Sequence, residues 1–133
     1  MTRALIVADS GPAMAELTQA LRRIPEVEIV RYASGRNSIT LIARASAPDL
    51  VLIDEMGWRD DALARLAEAR REAPGAAIVV LAAEPDAGWL ADALRAGAAA
   101  VLPGAHDAAT LELVLREVLA TDPQVHPGTS LAA

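Results

Sequence analysis

Five short aliphatic runs, each followed by a stretch of helical periodicity, constrain this 133-residue chain more than any other feature. "ALIV" (4–7) leads into a predicted helix from Pro12 to Ile24, with Ala13, Leu17, Leu21 and Ile24 on one face. Pro12 suits the first turn and Ser10 is a candidate cap. "VEIVRY" (27–32) alternates apolar and polar residues, and a helix is expected near 36–46 with Ile39, Ile42 and Ala45 inward. "LVLI" (50–53) is the third strand, with Leu63, Leu66 and Ala67 marking the helix after it. "APG" (73–75) turns the chain into "AIVVLAA" (77–83). The fourth helix carries Leu90, Ala93 and Leu94, and Gly97 stands where a cap glycine belongs. "AAAVL" (98–102) is the fifth strand, and Leu111, Val114, Leu115 and Val118 form the inner face of the last helix.

Repeated strand–helix units imply parallel strands, right-handed crossovers and helices on both faces of one sheet. Continuous apolar strands belong in the middle of such a sheet and alternating ones at an edge. The first, third and fourth strands are therefore central and "VEIVRY" is an edge. That gives an α/β, flavodoxin-like, doubly wound five-stranded parallel sheet of order 2-1-3-4-5. Ligands collect at the carboxyl ends of strands one and three, where the winding reverses. Asp9 ends strand one and Asp54 ends strand three, so two carboxylates are expected to face each other there.

Composition narrows the chemistry. Hydrophobic residues make up 53% but aromatics only 2%, so the core must be aliphatic. A net charge of −6 disfavours nucleic acid and anionic membranes as direct partners. The absence of cysteine excludes disulfides and thiolate sites and suits a reducing compartment. No apolar run approaches the ~20 residues of a membrane span, and the N-terminus opens as a strand rather than a signal peptide. A cytoplasmic domain over 1–121 is expected, with 122–133 a Pro/Gly-rich linker to a further output domain or a plain tail; both stand at this point.

Two neighbouring carboxylates repel unless a cation lies between them. A hard divalent ion such as Mg²⁺ is the natural solution, and an Asp beside it can attack a phosphoryl donor. The alternative for Asp54 is a strand-terminal residue accepting backbone hydrogen bonds.

Over about residues 3–120 the chain resembles the receiver domains of bacterial two-component response regulators, which are CheY-like. "PDLVLID" (48–54) is similar to the family's third strand and makes Asp54 the candidate phosphoacceptor. "APGAAIVVLAA" resembles the fourth strand, "ALRAGAAAVL" (93–102) the approach to the fifth, and "VADSGPAM" (7–14) the acidic turn. The resemblance implies a pocket of Asp9, Ser10, Asp54, Met56, Ala82 and Gly104, with Asp9 and Asp54 as metal ligands. Anchored on Pro12, Asp9 is the first of the family's two acids and Ser10 replaces the second; anchored on the strand, Asp9 is the second. Both registers stand at this point.

Departures from the family pattern are equally informative. Ala82 stands where a Ser or Thr hydroxyl would bond the phosphoryl group, and Gly104 where a Lys would pair with it. All twelve basic residues are Arg, so no shift of register supplies a lysine. Trp58 replaces the usual Pro, and Val101 the aromatic switch residue. Each charge-assisted bond to a phosphoryl group is worth roughly 1.5–3 kcal/mol, so losing two removes several kcal/mol.

The expected function is therefore an atypical, non-enzymatic receiver-like module with impaired Asp phosphorylation and weak or absent Mg²⁺ binding, acting on transcription through an output domain. A conventional receiver phosphorylated on Asp54 by a histidine kinase with Mg²⁺ is the alternative. A small-molecule binding domain using the degenerate pocket is the second. The resemblance further implies a homodimer through the helix 4–strand 5–helix 5 face, with Trp89 and Val101 as interface candidates; Trp89 is either exposed there or packed against its own helix. Arg22, Arg23, Arg70 and Arg71 read as solvated helix ends. Asp60 and Asp61 open helix three, where Asp61 is expected to cap. Trp58 is a loop residue or a ligand platform, and His106 a surface loop residue or a substitute cation.

Overall fold

The computed structural model describes residues 1–9, 11–55, 58–103 and 107–121. Strands and helices alternate throughout: β1 (Thr2–Val7), α1 (Pro12–Arg22), β2 (Val27–Ala33), α2 (Thr40–Ser46), β3 (Leu50–Asp54), α3 (Arg59–Glu72), β4 (Ala77–Ala82), α4 (Ala87–Arg95), β5 (Ala100–Pro103) and α5 (Ala108–Thr121). All strand pairings are parallel and the order is β2-β1-β3-β4-β5, as the pattern of apolar runs predicts.

The central strands are apolar on both faces because both are covered. On one face Leu5, Val7, Val51, Ile53, Ile78 and Val80 pack with Ala43 of α2, Leu66 of α3 and Trp89 of α4. On the other, Ile6, Leu50, Leu52, Val79 and Leu81 meet Leu17 and Leu21 of α1 and Leu111 and Leu115 of α5. Strand residues alternate between the two layers, so either half of the period finds an apolar environment. β2 pairs on one side only and keeps Glu28, Arg31 and Tyr32 exposed, as an edge strand should.

Several helix faces differ from expectation. α2 starts at Thr40 rather than 36, buries Ala43, and leaves Ala45 exposed. α3 buries Ala62, Leu66 and Ala69, with Leu63 half-buried and Ala67 exposed. In α4 the inward pair is Trp89 and Ala93, leaving Leu90 40% and Leu94 47% exposed. A bulky indole one position from a leucine wins the core side because it fills the space over β4 and β5 left by the alanine at 93. Of the two readings of Trp89, exposure at an interface is the one overturned: it is 2% exposed. Val101 is half-buried, pairs with Val80 and packs against the same layer.

Caps differ too. α1 is preceded by Gly11 with no side-chain cap, and Ser10 lies outside the described residues. The N-cap of α3 is Trp58, so Asp61 does not cap; Asp60 and Asp61 instead sit in the first turn, where the helix dipole favours negative charge. The arginine pairs do lie at helix ends: Arg22 and Arg70–Arg71 occupy last turns and Arg23 caps α1. Gly97 closes α4 as predicted. Its φ is +110°, its amide bonds the Leu94 carbonyl at 3.1 Å, and the Ala98 amide bonds Ala93 at 3.0 Å. That pair of bonds satisfies the last carbonyls of the helix.

Candidate site at the carboxyl edge of the sheet

The register places the two aspartates on one edge. Val7 pairs with Ile53, so Asp9, two residues on, and Asp54, one residue on, leave the carboxyl ends of adjacent inner strands. Asp54 is half-buried and pairs with Leu81 of β4. One residue beyond Leu81, Ala82 is fully buried and pairs with Pro103. Its methyl group offers no hydrogen bond where β4 meets the edge. Ser10, Met56, Gly104 and His106 lie outside the described residues.

What periodicity did not reveal is the cationic part of this edge. Arg36, in the loop after β2, donates from Nε to Asp9 Oδ2 at 2.8 Å. Its guanidinium lies 5.3 Å from the centroid of the Trp58 ring, within cation–π range. Trp58 is 52% exposed and is thus a half-open loop platform whose face carries an arginine. Beside Asp9 an open cleft of about 570 Å³ is lined by Ala8, Asp9, Met14, Tyr32, Ser34 and Arg36.

On the other flank stands Glu55, 6% exposed and directly after Asp54. Strand alternation turns it away from the aspartate toward the α3–α4 side. Glu55 Oε1 accepts the Ala83 amide at 3.3 Å. Oε2 has no hydrogen bond among the described residues, but Arg59 Nε lies 3.6 Å away. That separation gives Coulomb attraction without a hydrogen bond. Burying a carboxylate costs several kcal/mol unless it is paired, so Arg59 is what makes Glu55 tolerable. Arg59 also meets Asp86, the cap of α4, at 2.8 Å. Bonding from the Trp89 amide first and Arg59 second holds the Asp86 carboxyl below the usual range.

Glu55 and Arg59 are four residues apart, a spacing that hints at a pair, although Glu55 precedes the first residue of α3 and so makes no within-helix contact. Arg36 carries no such signal, because nothing in a loop's sequence fixes where its side chain turns.

A divalent ion must compete with a protein cation for these donors. Mg²⁺ needs carboxylates and several waters in a near-octahedral shell. Asp9 already carries a guanidinium, and no cluster of three metal-ligating side chains exists among the described residues. The expected ligand pair Asp9–Asp54 is thus two carboxylates, one of which, Asp9, is already ion-paired with Arg36.

Comparison with known proteins bears on the fold. No protein-family model matches the chain. It is 33% identical over 104 residues, 77% of its length, to a protein-glutamate methylesterase/protein-glutamine glutaminase of Anaeromyxobacter dehalogenans, and spans 30% of that relative. A CheY-like response regulator receiver domain from Methanospirillum hungatei superposes with a TM-score of 0.75 at 20% identity, covering 96% of this chain and 99% of that one. The response regulator domain of CheB from Thermotoga maritima gives 0.67 at 22% identity, covering 92% and 98%. The chain has the CheY-like receiver fold, with the same strand order and alternation of helices.

Proposed function

We propose that this receiver fold serves as a non-enzymatic, cytoplasmic regulatory domain of the two-component type, and that its signalling does not run through the usual phosphoryl relay. The observation that carries this reading is Ala82: a buried methyl at the end of β4, in a chain without lysine. A phosphoryl group on Asp54 would find neither the hydroxyl nor the ammonium that stabilises it. Nor could it draw residue 82 inward, which is how such a group would reposition α4 and β5. Arg36 on Asp9 supports the same reading, since it neutralises the edge with a protein cation.

Control is then exerted by association. Leu90 and Leu94 form an exposed apolar pair on α4, and they replace Trp89 as the residues proposed for a homodimer through the α4–β5–α5 face, with Val101 at its margin. The output is a domain joined to this one and acting on transcription. A methylesterase output is the second reading, favoured by the match to the methylesterase of Anaeromyxobacter dehalogenans.

Beryllofluoride with Mg²⁺, which mimics an aspartyl phosphate, tests the proposal. The melting temperature of the domain should not move. A rise that disappears in Asp54→Ala would establish the conventional receiver, phosphorylated by a histidine kinase, instead. A metabolite that co-purifies with the domain and seats in the cleft beside Asp9 would favour the ligand-binding alternative.

A further inference from the structure

One side chain ties the first turn of α4 to the carboxyl edge. Arg59, in the first turn of α3, reaches past the end of β4 toward four groups. Its Nη1 lies 2.8 Å from Asp86 Oδ2, and its Nη2 donates to the Glu84 carbonyl at 3.1 Å. Its Nε faces Glu55 Oε2 at 3.6 Å, and its guanidinium carbon lies 5.7 Å from the centroid of the Trp89 ring. The carboxylates are themselves fixed. Glu55 holds the Ala83 amide at 3.3 Å, and Asp86 accepts the Trp89 amide at 2.8 Å as the cap of α4.

We infer that Arg59 is the residue that positions α4 and the loop before it, a tether from α3 that does from inside the chain what a phosphoryl contact at residue 82 cannot do. This rests on the reading of a receiver without a phosphoryl relay and adds to it the element that is held and the group that holds it. Three features separate the tether from an ordinary surface ion pair. Its partners come from three segments: the end of β3, the β4–α4 loop and the cap of α4. One of them, Glu55, is buried and needs a cation. The ring beneath the guanidinium belongs to the side chain that anchors α4 in the core. The planar five-donor fork of arginine can bond two acceptors while facing a third carboxylate and a ring, which the point charge of a lysine cannot.

Amide hydrogen exchange on the full chain, with no phosphoryl mimic present, tests this. Arg59→Ala should speed exchange over residues 84–95 by roughly tenfold while β1 and β3 keep the rates of the unsubstituted protein. Arg59→Met, which keeps the aliphatic stem and removes the fork, should do the same if the alanine variant folds poorly. Arg95→Ala, which breaks a pair within α4 alone, should leave the pattern unchanged. Unchanged rates over 84–95, or a rise shared equally by β1 and β3, would overturn the tether. Neither result bears on the phosphoryl relay. A beryllofluoride response, conversely, would sink that reading and leave the tether standing.

Discussion

The Arg36 guanidinium donates to the Asp9 carboxylate at 2.8 Å while resting on the Trp58 ring, so the acidic edge of the sheet carries its own counter-ion. A divalent cation must compete with it. Calorimetric titration with Mn²⁺ or Mg²⁺ should therefore show binding in the Arg36→Ala variant at concentrations where the unsubstituted protein shows none. Equal affinities for the two proteins would mean that the arginine does not guard the site.

Glu55 and Arg59 should be coupled energetically. Arg59→Ala leaves a buried carboxylate without a cation, and urea unfolding should show a loss of about 1–3 kcal/mol, below the full value for a buried pair because Arg59 is 44% exposed. In Glu55→Gln the same arginine substitution should cost clearly less. Additive losses in that double-mutant cycle would contradict the pairing.

Acid should unfold the domain through carboxylates on the α2–α3 side. Burial alone would raise the Glu68 carboxyl, but bonds from the Ser38 hydroxyl, the Ile39 amide and Thr40, with Arg65 nearby, hold it below its ordinary value. Arg44 does the same for Glu72. A folded pKa below the unfolded one adds stability that is full above the unfolded value of about 4 and vanishes as pH falls through the folded value. Stability should thus be level from neutrality to about pH 5 and then fall. In Glu68→Gln that fall should be shallower, as thermal melts across the pH range would show.

Gly97 is held at a φ of +110°, and a Cβ there would lie 2.9 Å from Arg70 Cδ. Gly97→Ala should cost about 1–2 kcal/mol of stability in urea, because the left-handed closure of α4 penalises any side chain. An unchanged midpoint would mean that the helix end relaxes freely.

The proposed dimer face gives a simple readout. Leu90→Glu with Leu94→Glu should shift the protein toward monomer in sedimentation experiments without changing its melting temperature by more than about 2 °C, since both residues lie outside the core. A sedimentation profile unchanged from that of the parent would remove this face from consideration.

The sheet was legible because each central strand is apolar on both sides, a signal that fixes parallel order and burial together. So was the placement of Asp9 and Asp54, which follows from where those runs stop. Helix faces were less legible. In α4 the pairs Trp89–Ala93 and Leu90–Leu94 share one periodicity, and only packing over β4 and β5 chooses between them. In α3, alanines fill so many positions that Ala62 and Ala69 hide among their exposed neighbours. The cations were the harder part: Arg36 reaches Asp9 across 27 residues of sequence, from a loop whose direction no local pattern encodes.

Asp54 is proposed to sit in a receiver fold whose edge cannot pass a phosphoryl signal to α4. Amide NMR spectra recorded before and after beryllofluoride and Mg²⁺ test it most directly. The resonances of residues 84–103 should stay in place. Shifts spreading through α4 and β5, and lost in Asp54→Asn, would contradict it.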